Sequence, residues 1–172
     1  MSKLEKITVG EYYFPTALLL RESIFLNGIL TNAETWYGVT KAELKPLEDL
    51  DILLLRQILN TQISVPTESL YLELGCQDIQ TILKARRINY LHYLLTSNPD
   101  SMLTKFFNVQ LKYPSPGDWT EQVKVDLADF GIEMDLDTIR SKSIYSFKNI
   151  VKRKPQYMLC TLVLKRKKFI PN

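Results

Sequence analysis

An all-α fold is what this chain predicts, on three observations. Apolar residues recur at three- and four-residue spacing in one segment after another. Residues that start and stop helices bracket those segments, and no two alternating stretches meet at a hairpin turn. The expected architecture is an irregular multi-helix bundle with a basic helical C-terminal appendage. Residues 1–113 form the helical domain, 114–118 a linker and 119–172 the basic C-terminal region.

Residues 12–30 (YYFPTALLLRESIFLNGIL) are apolar on nearly every face, the pattern of a central helix, and Pro15 fits only its first turn. TNAETWYGVT follows as a polar connection carrying Trp36 and Tyr37. Thr40 and Glu43 have capping-box spacing and open a helix over 40–60, with Leu47, Leu50, Leu54 and Ile58 on its core face. Pro46 lies one turn inside, so that helix starts late or bends. Asp51 is either a partly exposed residue at the edge of this face or a buried carboxylate paired with Arg21, Arg86 or Arg87.

Ser64 is placed to cap a short helix with Pro66 in its first turn, and Gly75 supplies the left-handed stop. Asp78 then caps a long helix over 78–96. Its stripe of Ile79, Ile82, Leu83, Ile88, Leu91, Leu94 and Leu95 is wide enough to be buried on more than one side. Lys84, Arg86 and Arg87 interrupt that stripe, and cations on a mostly buried helix need carboxylates, carbonyls or a ligand. Arg86 or Arg87 is therefore expected to reach Glu34, Asp51 or Glu73.

Pro99 and Asp100 open a helix over 99–112 with Met102, Phe106, Val109 and Tyr113 along one face. YPSPGD, residues 113–118, is the linker. Asp118 and Glu121 repeat a capping box ahead of Trp119, Val123, Leu127 and Phe130, and Gly131 closes that helix. Asp135 or Asp137 caps a further turn, and Ser143 restarts a helix through Phe147, Ile150 and Val151. Pro155 ends or kinks it, and YMLCTLVLKRKKF reads as helix or strand.

The net charge of +3 decides nothing about partners, but its distribution does. After Asp137 there is no acidic residue, while ten Lys and Arg follow. Lys148, Lys152, Arg153, Lys154, Lys165, Arg166, Lys167 and Lys168 of this block are the candidate nucleic-acid contacts. A basic end of this kind also occurs as a plain solvated segment or an import signal. Two cysteines and one histidine cannot supply a four-ligand structural zinc site, and no metal site or cofactor is expected. Free thiols and the lack of a recognisable leader suit an intracellular protein, nuclear or cytoplasmic. Arg21, Glu22 and Asn27 break the most apolar stretch, so no membrane association is expected.

No phosphate-binding glycine loop, carboxylate pair or nucleophile elbow is present, so no catalytic residue and no small-molecule substrate are assigned. His92 reads as a core-edge histidine and Glu73 as a structural acid or a partner for Arg86 or Arg87. Trp36, Tyr37 and Trp119 are packing anchors or platforms on which bases stack.

One longer pattern adds to this. Tyr12, Tyr13 and Phe14 precede Arg21 and Ser23, and then come Asn32, Glu34, Trp36 and Tyr37. Leu47, Glu48, Asp51, Leu54, Leu55 and Arg56 follow, then Tyr71 to Gly75 (YLELG) and the pair Arg86–Arg87. Taken in order, from about Leu4 to Lys152, these residues resemble the region just after the palm in non-LTR (LINE-type) retrotransposon reverse transcriptases. Pro15 and Pro46 depart from that pattern. The resemblance implies a thumb-like helical region that grips a template–primer duplex, RNA–DNA or DNA, without sequence preference. It implies no polymerase chemistry in this chain, because the family's metal-binding aspartates belong to the palm upstream. The chain would then be a fragment or remnant of such an enzyme. The alternative is a helical protein-interaction module whose apolar faces dock on the polymerase palm or on a host protein.

Overall fold

The computed structural model describes residues 13–153, which are helices and short connections with no strand among them. A first helical run, α1, comprises Tyr13–Leu20, a π-helical stretch Arg21–Leu26 and a last α turn Asn27–Ile29. A 3₁₀ turn at Ala33–Thr35 precedes α2 (Lys41–Leu59) and α3 (Thr67–Leu74). Then come α4 (Ile79–Thr96), α5 (Met102–Lys112), α6 (Trp119–Asp129) and α7 (Leu136–Ser141). A last helix, α8, covers residues 144–153. Among the described residues no helix is long and apolar enough to cross a membrane.

Two compact units result. Of the described residues, one contains those up to Thr31 together with Lys45–Cys76; the other contains Asn32–Leu44 and those from Gln77 to Arg153. The linker stretch 113–118 lies within the second of these.

In the first unit α1, α2 and α3 enclose Leu55, Ile58, Leu70 and Tyr71, against which Ala17, Leu18 and Ile52 pack. The π stretch explains how α1 contributes. Its i→i+5 bonding brings residues five apart onto one side, and Arg21 and Leu26 are the two buried residues of that stretch. The buried line of α2 is Leu44, Asp51, Leu55 and Ile58, not the expected Leu47–Leu50–Leu54–Ile58, and Leu50 is 51% exposed. The face rotates because Asp51, drawn inward by a cation, becomes its centre. Pro46 is accommodated inside α2, where it leaves the Ala42 carbonyl without its usual intrahelical donor.

In the second unit α4 is the central rod. Ile88, Leu91, Leu94 and Leu95 meet Phe107 of α5, Trp119, Val123 and Leu127 of α6, Ile139 of α7, and Phe147 and Val151 of α8. Each such side chain contributes roughly 1.5–3 kcal/mol on burial.

Most helix ends follow the local signals. Thr40 Oγ1 accepts from the Glu43 N–H at 3.3 Å while the Glu43 carboxylate accepts from the Thr40 N–H at 2.8 Å, a reciprocal box. Asp78 accepts from the Thr81 N–H at 2.7 Å, and Asp118 from the Glu121 N–H at 2.9 Å. Glu121 reaches back to the Gly117 N–H at 2.5 Å, one residue earlier than a standard box. Asp135 caps α7, Ser143 accepts from the Ser146 N–H in α8, and Gly75 closes α3 at φ +61°.

Three expectations are corrected. Pro66, not Ser64, is the N-cap of α3, because its fixed φ of −57° with extended ψ starts the helix at Thr67 and leaves Ser64 too far upstream. Ser101 caps α5, so that helix begins at Met102 and Pro99 and Asp100 stand in the turn before it. The stripe of α5 also faces outward. Met102, Phe106, Val109 and Tyr113 are 56–74% exposed, whereas Thr104 and Phe107 are buried.

Candidate nucleic-acid interface

In each unit the described residues include a buried arginine–carboxylate pair. In the first, Arg21 donates from Nε and Nη2 to the two oxygens of Asp51, both at 2.6 Å, and Tyr71 adds its hydroxyl at 3.3 Å. Burial by itself lowers the pKa of the Arg21 guanidinium; the hydrogen bond and charge of Asp51 outweigh it, so the net shift is upward. In the second, Arg87 donates to Asp126 through Nε at 2.5 Å and Nη2 at 3.1 Å, and through Nη1 to the Trp36 carbonyl at 3.2 Å. Gln122 also reaches Asp126, at 3.3 Å. Both geometries are the two-pronged fork that a guanidinium offers a carboxylate.

Arg87 thus finds none of Glu34, Asp51 and Glu73. Asp51 is already held by Arg21, Glu73 is exposed on α3, and Glu34 contributes its backbone carbonyl, which accepts from Trp119 Nε1 at 2.8 Å. Arg86 is half-buried beside it on α4. Asp126 was open to discovery in the sequence, since it stands inside the apolar stripe of α6 between Val123 and Phe130. Through Arg87 and Trp119 the 3₁₀ turn is fastened to α4 and α6. Trp119 is 7% exposed and packs edge-on against Tyr90 and Phe107, so it is an anchor and not a stacking platform.

His92 is buried on α4, donates through Nε2 to the Lys142 carbonyl at 2.8 Å and stacks on Phe147 at 4.9 Å between ring centroids. It therefore joins α4 to the start of α8. Cys76 is a half-buried thiol whose pKa burial pushes up to about 11, which makes it a poor nucleophile. Among the described residues no three His, Cys, Asp or Glu side chains converge as a metal site would require.

The basic residues follow from α8. Phe147 and Val151, one turn apart, are 1% exposed and fix that helix against the core. Lys148 and Lys152 are then neighbours on an adjoining exposed face, and Arg153 is exposed beyond them. These three form no ion pair among the described residues. Arg140, on α7, donates from Nε to the Leu95 carbonyl at 3.1 Å. Lys154, Lys165, Arg166, Lys167 and Lys168 lie outside the described residues.

A second surface lies on α5. Beside its exposed stripe, Leu103, Phe106, Phe107, Tyr90, Leu94 and Trp119 line an apolar hollow of about 150 Å³. No family model matches the chain, and no curated protein or solved structure is significantly similar to it.

Proposed function

We propose that this chain is a thumb-like module that contacts duplex nucleic acid without sequence preference, a fragment or remnant of a LINE-type reverse transcriptase, and carries out no catalysis itself. One observation carries the reading. Lys148, Lys152 and Arg153 stand exposed on α8 while the side of that helix carrying Phe147 and Val151 is held in the core. Cations on a fixed helix, in a stretch without acids, suit a phosphate backbone; nothing in the set has the paired geometry that reads base edges.

Titration of an RNA–DNA hybrid at several salt concentrations tests it. If Lys148, Lys152, Arg153 and Lys154 each neutralise one phosphate, log K falls against log salt with a slope of about −3 to −4. The affinity expected is the non-specific one, about 10⁻⁴ to 10⁻⁶ M. Reversing those four charges should remove most of the slope; an unchanged slope sinks the proposal. A second reading has its own observation, the outward apolar stripe of α5 with its hollow, which suits a helical module docking on a protein such as a polymerase palm. Absence of hybrid binding even at low salt would favour it.

A further inference from the structure

We infer that the second unit contains a phosphate-binding pocket between the end of α4, the start of α5 and α7, sized for one nucleotide unit. The cavity has a volume of about 290 Å³ and is lined by Ser97, Pro99, Thr104, Asn108 and Arg140, over an apolar floor of Leu94, Leu95 and Phe107. That volume is at the lower end of ligand pockets.

Among the described residues Arg140 is the sole charged one in the lining, and no carboxylate contributes to it. Its Nε is spent on the Leu95 carbonyl, which ties the guanidinium to the last turn of α4. The Nη groups remain. Nη1 stands 3.8 Å from Asp137 Oδ1, a carboxylate 93% exposed, so that contact is a weak competitor for an incoming anion. The Asn108 amide, exposed on α5, makes no hydrogen bond among the described residues and supplies two further donors. Ser97 and Thr104 do not compete for that role, because Ser97 donates to the Tyr93 carbonyl and Thr104 shares a hydrogen bond with Ser101. The first turn of α5 adds the positive end of a helix dipole to the same neighbourhood. A planar cation, a free amide and an apolar floor together match a phosphate that carries a sugar or base. The sugar or base would rest over the small part of Leu94, Leu95 and Phe107 that the core leaves exposed. That the phosphate belongs to a strand, and not to a free nucleotide, rests on the nucleic-acid reading above.

The test uses the full chain with Arg140→Gln and Asn108→Asp, which alter the pocket lining and leave the core intact, each checked for unchanged thermal unfolding. Two probes are titrated: adenosine monophosphate, followed through the side-chain amide resonances of Asn108, and an RNA–DNA hybrid. The expected result is a shift of those resonances with the nucleotide. For the hybrid, each variant should lose about ten-fold or more in affinity, and Arg140→Gln should reduce the salt slope by about one. Nucleotide binding without hybrid binding would uphold the pocket with a free ligand while removing the duplex reading. Full hybrid affinity in both variants, with Lys148 and Lys152 still required and no resonance shift, would overturn the pocket and leave the duplex reading standing. Failure of both probes in the unaltered chain would overturn the pocket as well.

Discussion

Two guanidinium groups are taken out of water among the described residues, Arg21 at 2% exposure and Arg87 at 6%. Withdrawing such a charge costs several kcal/mol unless a partner meets it, and each has one carboxylate at fork geometry. The asymmetry of that arrangement gives a prediction. Asp51→Ala or Arg87→Ala leaves an uncompensated buried charge and should destabilise its unit by about 3–5 kcal/mol in denaturant titration. Replacing Arg21 and Asp51 together with leucine-like residues should cost much less than either single change, and a double-mutant cycle measures the difference. If the double replacement costs the sum of the two single ones, the two side chains are not a pair in the energetic sense. That such pairs exist was legible in the sequence, because cations stood on apolar faces. Their identity was only partly so: Arg87 and Asp126 are 39 residues apart, and helical periodicity carries no information about what meets across that separation.

At the scale of the helix, most ends were legible and the faces less so, for a physical reason. A cap is a contact between residues two or three apart, and the side chains that make it are seen in the sequence alone. A face needs to know its neighbour. The α5 stripe illustrates this: spacing correctly groups Met102, Phe106, Val109 and Tyr113, yet the buried side is the one with Thr104 and Phe107. The candidate site divides the same way, since the basic residues of α8 could be read off but the Arg140 pocket, built from three helices, could not. Caps also give the prediction proper to this scale. Asp118 accepts from the Thr120 hydroxyl and from the Ser115 and Glu121 N–H groups, and these bonds, Thr120 first, hold its pKa below the usual carboxylate value. Asp118→Ala should cost about 1 kcal/mol. Since the folded-state pKa is depressed, that contribution is fully present above the unfolded-state value near 4 and is lost as pH falls through the folded one. Comparing the unfolding midpoints of the two proteins at pH 7 and near pH 3 checks it: the gap should narrow in acid.

For the whole molecule, the division into two units has an optical consequence. The chain has two tryptophans, Trp36 and Trp119, and both belong to the second unit. Trp36 lends its carbonyl to Arg87, and the buried indole of Trp119 is hydrogen-bonded and ringed by Tyr90 and Phe107. Indole emission therefore sees one half of the protein only, whereas far-ultraviolet circular dichroism sums the helices of both. With Asp51→Ala the dichroism should fall in two steps while the fluorescence keeps a single, later one; coincident curves would mean that the units melt together. A tryptophan placed at Tyr71, beside Asp51, would open the silent half to the same instrument.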